Sequence, residues 1–144
     1  MTYYIMYNSF NGQFKTVSLS DVKNVIVSEF EDLIRLVVFS VANSIEAKHY
    51  KTTYKQLRSA LTYAKAILTI MRLDDFDKIG KYLYLNELLG TSYNIDVTNY
   101  VEKLMNEGRN VEANELGKCK KAIRLTSPYG LIICEISEQS DAYG

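Results

Sequence analysis

The chain has 144 residues, with 17 basic and 17 acidic side chains, a formal net charge of zero, 12 tyrosines, no tryptophan, one proline and two cysteines. That length suits one domain able to bury a core without disulfide staples, and the balanced charge excludes a global field that would draw the chain onto nucleic acid. The first residues carry neither the basic nor the apolar stretch of a secretory signal, and the longest apolar run, 33–42, is interrupted by Arg35 and too short to span a bilayer, so a soluble intracellular protein with no membrane partner is expected.

Residues 2–7 (TYYIMY) and 13–17 (QFKTV) are β-prone runs on either side of Asn11-Gly12, a pair that tolerates the positive φ angles of tight turns, and they predict an N-terminal hairpin. Ser18 or Ser20 then caps a first helix, with Asp21 near its positive end and Val22, Ile26, Leu33, Val37 and Val41 continuing its stripe. The second half of that helix, LIRLVVFSVA, is apolar nearly all round and reads as buried. A second helix is expected over 47–72 and a third over 75–89, stopped by Gly90. A fourth begins at Asp96, where Ile95 can pack on Tyr100 as a hydrophobic staple; Gly108 ends or bends it, and 111–116 add a short turn. Segments 121–126 and 131–136 flank Ser127-Pro128-Tyr129-Gly130 and predict a C-terminal hairpin. Ile132, Cys134 and Ile136 share one face of the last strand, and Leu131 and Ile133 make the other apolar as well, which is the pattern of a strand covered on both sides. The economical topology joins the two hairpins in one small antiparallel sheet packed on a bundle of about four helices. This is an α+β fold in a single globular domain, 1–137, followed by a mobile tail, 138–144. Two separate hairpins at opposite ends of the bundle are the alternative.

The most ordered feature lies on the second helix. Tyr50, Tyr54, Leu57, Leu61, Ala64, Leu68 and Met71 alternate steps of four and three, the spacing that keeps one stripe turned toward a partner helix. The four e positions beside this seam, Lys51, Arg58, Lys65 and Arg72, are all basic, and Lys55 adds to them. Lys118, Lys120, Lys121 and Arg124 form a second basic cluster. In one explanation the basic stems cover the edge of the seam while their heads pair with Glu29, Glu31 or Asp32 of the first helix. In the other, the stripe and the second cluster bind an acidic protein surface or a phosphate backbone. Neutral net charge favours protein, because nonspecific affinity for DNA grows with each phosphate neutralised.

Other candidates for chemistry have plainer readings. His49, the only histidine, lacks companion cysteines at zinc-finger spacing and reads as a surface residue. Asp74, Asp75 and Asp77 resemble a magnesium cluster but stand where a helix N-terminus favours negative charge. Gly117-Lys118 lacks the rest of a phosphate loop, and Cys119 and Cys134 read as free thiols. Tyr82, Tyr84, Tyr93 and Tyr100 crowd the third and fourth helices; they read as a core partly built from tyrosine or as a contact face, with Tyr82 or Tyr84 at the surface. No catalytic, metal or cofactor site is expected.

The tyrosine-laden strand TYYIMY, the isoleucine-rich helices, the segment YLYLNELLGTSYNIDVTNYVEKL and the near absence of proline give the chain a manner that resembles the small proteins encoded by viruses of thermoacidophilic archaea. Its size and helical centre are similar to the RNA polymerase inhibitory proteins of two-tailed archaeal viruses and their virion-protein relatives. The resemblance implies a noncatalytic inhibitor in the host cytoplasm that occupies the DNA-binding channel of the host RNA polymerase. Alternatives are a self-associating virion protein, an anti-CRISPR inhibitor and a small DNA-binding regulator. Neutral charge departs from a DNA mimic, which would be acidic, so binding would rest on shape and local patches, with Lys51, Lys55, Arg58, Lys65, Arg72, Lys118, Lys120, Lys121 and Arg124 as contacts.

Overall fold

The computed structural model describes residues 1–46, 50–126 and 130–138, and the side chains at 44–46 and 50–53 lie outside that description. His49, the Ser127-Pro128-Tyr129 turn and the tail beyond 138 therefore fall outside the described residues. The elements are β1 (Thr2–Asn8), β2 (Phe14–Val17), α1 (Leu19–Glu46), α2 (Tyr50–Arg72), α3 (Phe76–Leu85), β3 (Thr91–Tyr93), α4 (Thr98–Asn106), α5 (Asn110–Gly117), β4 (Lys121–Leu125) and β5 (Leu131–Ser137). The fold is α+β. Two compact units divide the chain: a sheet unit, Met1–Val22 with Asp74–Gly144, and a helical unit, Lys23–Leu73.

In the sheet unit the strand order is β2-β1-β5-β4-β3, antiparallel throughout. The terminal hairpins join through β1 and β5, with Tyr3 opposite Ile136, Ile5 opposite Cys134 and Tyr7 opposite Ile132. Strand alternation then assigns the layers. Ile5, Tyr7, Ala122, Ile132, Cys134 and Ile136 cluster with Leu104 of α4 and with Ala113 and Leu116 of α5. On the opposite face, Tyr4 stacks on Phe76 of α3 at 5.4 Å between ring centroids. Ile132, Ile133, Cys134 and Ile136 are essentially inaccessible, so β5 is covered on both faces as its doubled apolar pattern implies. Each such buried aliphatic side chain contributes roughly 1.5–3 kcal/mol.

The third strand, β3, has no sequence signal of its own and adds to the edge of β4. It lies next to the one glycine whose missing side chain matters most. A Cβ on Gly80 of α3 would stand 2.8 Å from Cγ2 of Ile123 and 3.2 Å from the Tyr93 ring, so α3 approaches the sheet more closely there than any other residue would permit.

Local signals set the helix ends. Ser18 caps α1 reciprocally: its Oγ accepts from Asp21 N–H at 3.1 Å, and its own N–H donates to the Asp21 carboxylate at 3.0 Å. Gly108, at φ +77°, ends α4, with Arg109 N–H reaching Leu104 O and Gly108 N–H reaching Met105 O. The third helix stops at Leu85 rather than just before Gly90. Leu88 N–H bonds to Leu83 O and Glu87 N–H to Tyr84 O, which is the same C-terminal turn built with a glutamate at φ +53° where glycine is usual. Burial of Leu88 and Leu89 accompanies the turn. The N-terminal turn is also wider than the Asn11-Gly12 pair alone: Asn8 N–H donates to Gln13 O, and the Asn8 side chain accepts from Phe10 and Asn11 N–H.

Candidate interaction surface

Helix α2 carries two interleaved stripes at steps of three and four. One is Gln56, Ser59, Tyr63, Ala66 and Ile70; the other is the seam Tyr54, Leu57, Leu61, Ala64, Leu68 and Met71. The less apolar stripe is the one turned inward. Ala66 and Ile70 are fully buried, as are Ile26 and Phe30 of α1, and the Tyr63 and Phe30 rings lie 6.0 Å apart. Lys23 Nζ donates to Met71 O at 2.9 Å, which together with the Phe30–Tyr63 pair sets the two helices antiparallel. Small side chains at Ser59 and Ala66 leave room for a neighbouring helix to approach.

The regular seam faces solvent. Its large members, Tyr54, Leu57, Leu61, Leu68 and Met71, are between 48% and 71% exposed. Its hydroxyl neighbours do not compete for partners, because Ser59, Thr62 and Thr69 each bond the carbonyl four residues earlier at 2.9–3.2 Å. The apolar half of α1 is helical as expected but not buried: Leu36, Val38 and Phe39 are more than 60% exposed. Antiparallel pairing with one helix covers one stripe, and a segment that is apolar all round leaves the rest in water.

Arg58, Lys65 and Arg72 line the seam in exposed positions, as does Lys55 on the adjacent face; the Lys51 side chain lies outside the described residues. Arg58 sits 6.0 Å from the Tyr54 ring centroid. Among the described residues the stripe does not pair with α1. Among the described residues none of these four cations makes a salt bridge, and Glu31 and Asp32 instead hold Arg35 on their own helix at 3.8 and 2.6 Å. Glu29 is pushed above the ordinary carboxylate range by burial and by Asp32, with no cation to offset either.

The second basic cluster belongs to the sheet unit, and two of its four members, Lys118 and Lys121, are matched by acids. Lys118 bridges Glu115 at 3.2 Å and Glu138 at 3.0 Å, and these carboxylates hold its pKa above the ordinary lysine range, Glu138 foremost. Lys121 donates to Asp77 at 2.5 Å, Lys81 pairs with the same carboxylate at 3.0 Å, and the Tyr93 hydroxyl also donates to it. Arg124 is half-buried against the Tyr100 hydroxyl at 3.2 Å and Ser92 Oγ at 3.4 Å. Lys120 is exposed and unpaired among the described residues.

Of the three clustered aspartates, Asp75 caps α3 by accepting from Asp77 N–H at 2.8 Å. Asp77 anchors Lys121, Tyr93 and Lys81, a role invisible in sequence because Lys121 lies 44 residues away. Among the described residues no three of His, Cys, Asp or Glu gather as a metal-holding group. Both cysteines are free; Cys134 opposes Ala122, and its thiol is pushed up by Cys119 and by burial. Tyr84 reaches the surface, 6.2 Å from the ring of half-buried Tyr93. No helix among the described residues is long and apolar enough to cross a membrane.

The Asp77 cluster predicts an acid-sensitive contact. Lys121 first, then Tyr93 and Lys81, hold the Asp77 carboxyl well below its ordinary range. A carboxylate depressed in the folded state stabilises above its unfolded pKa, about 3.9, and that contribution disappears as pH falls through the folded value. Asp77→Asn is expected to lower the urea midpoint at pH 7 and to flatten its decline in acid below about pH 4. Parallel acid limbs for variant and wild type would show that Asp77 is not a linked group.

No family model, curated protein or solved structure matches the chain.

Proposed function

We propose that the protein works without catalysis, by laying the α2 seam against another protein and occupying it. The observation that carries this reading is the exposure of five large apolar side chains in heptad order beside cations that have no acidic partner among the described residues. Contiguous apolar surface of this kind marks an interaction site far more often than idle surface. The resemblance to archaeal viral proteins supplies the partner class: a host macromolecular machine, with RNA polymerase as the first to test.

Charge refines the mode of contact. A channel built to hold phosphates is itself basic, so a row of cations favours docking on an acidic surface of the complex over insertion along the DNA path. The test is binding to purified crenarchaeal RNA polymerase together with run-off transcription, comparing wild type with a Leu61→Asp, Leu68→Asp variant. Wild type is expected to bind and inhibit at near-stoichiometric ratio, and the variant to lose at least about tenfold in affinity, or about 1.4 kcal/mol. A wild type that neither binds nor inhibits removes polymerase as the partner. Equal binding by the variant removes the seam.

A further inference from the structure

Resting on the reading of the seam as the contact surface, we infer that its occupant is an amphipathic helix with acidic residues flanking its apolar stripe, and not a second copy of this chain. The alternating spacing of Tyr54, Leu57, Leu61, Ala64, Leu68 and Met71 is a row of knobs and holes at the period another α-helix matches. An extended strand has no such period. The occupant is therefore helical.

Its charge follows from the seam's edges. One edge carries Arg58, Lys65 and Arg72, exposed and without a salt bridge among the described residues. The other edge carries Ala60 and Ile67, which are half-buried and uncharged. An antiparallel pair of identical α2 helices would set the basic edge against itself, with Arg58 and Lys65 facing their counterparts, and like charges at such positions are destabilising. A parallel pair would set the basic edge against Ala60 and Ile67, where no carboxylate waits. On α1 of a second copy Arg35 already engages Glu31 and Asp32, which leaves half-buried Glu29 alone against three cations among the described residues of that part of the helix. Pairing α2 with a second α2 in either direction leaves all three cations unmatched, whereas a helix with Glu or Asp along one edge matches all three.

Two synthetic amphipathic helices test this against the full-length protein. They share one apolar stripe and differ only in carrying Glu or Lys at the flanking positions, and binding is read by fluorescence anisotropy with analytical ultracentrifugation of the protein alone. The Glu-flanked helix is expected to bind about tenfold more tightly than the Lys-flanked one, with the preference shrinking at about 0.5 M salt. Arg58→Glu, Lys65→Glu and Arg72→Glu together should reverse the order; all three sites are exposed, and circular dichroism confirms that the helix is retained. Equal binding of both helices, abolished by Leu61→Asp with Leu68→Asp, overturns the acidic partner while keeping the seam. A stable dimer of the protein alone that the same aspartate pair dissociates overturns the choice against a second copy. Binding of neither helix by a monomeric protein overturns the helical occupant, and the polymerase assay then stands as the separate test of the seam.

Discussion

Ile70→Asp is expected to unfold the helical unit, while Leu61→Asp on the same helix leaves it folded. Ile70 is fully buried and Leu61 is 71% exposed. A carboxylate placed at Ile70 loses its hydration with no cation supplied to compensate, a cost of roughly 3–5 kcal/mol, comparable with breaking a buried ion pair. At Leu61 the new charge stays in water beside the basic edge, and surface changes of this kind usually fall within about 0.5 kcal/mol. Amide exchange along α2 in the full-length variants reads the difference directly. Collapse of protection with Leu61→Asp but not with Ile70→Asp would mean that the buried and exposed faces of α2 are exchanged, and the proposed surface would go with them.

Phe76→Ala is expected to cost about 3–5 kcal/mol, the range for truncating a buried aromatic. Phe76 is 1% exposed at the first turn of α3 and stacks on Tyr4 of β1. Its loss opens a cavity at the junction that holds α3 to the sheet, the helix that also carries Asp77 to Lys121 and Tyr93. Against a total stability of about 5–15 kcal/mol that is a large fraction. Tyr84→Ala, at a half-exposed site of the same helix, should cost far less. The two urea midpoints, measured side by side, decide it; a shift for Phe76→Ala no larger than that for Tyr84→Ala would show that the helix is not anchored there.

Much of the architecture was legible in short windows. A serine cap beside Asp21, an end or bend at Gly108, a cap among Asp74, Asp75 and Asp77 and the doubled apolar pattern of 131–136 all depend on contacts within a few residues, or on the two-residue period of a strand; the structure chooses Ser18 for the first, a stop at Gly108 and Asp75 for the third cap. Where a local rule was met by an unusual residue, the reading slipped. The third helix ends at Leu85 because Glu87 takes the left-handed position, and nothing in its side chain advertises that conformation. The edge strand Thr91–Tyr93 is too short to show a period and exists because β4 offers it hydrogen bonds.

The candidate surface divides along the same line. Sequence by itself determined that α2 carries a regular apolar seam with a basic edge, because both are properties of one helix's own spacing. It also determined the two terminal hairpins and the α+β class. Only the tertiary structure decided which of the two stripes on α2 is buried, since that depends on what lies across from it. There the Phe30 and Tyr63 rings and the small Ser59 and Ala66 turn the less apolar stripe inward. Only the tertiary structure, too, separated the basic residues into paired and unpaired sets. Lys118 and Lys121 meet Glu138 and Asp77 through the folding back of the chain, and among the described residues Arg58, Lys65 and Arg72 meet no carboxylate. A charge is neutralised by what stands within a few ångströms of it, and that distance is set by the fold.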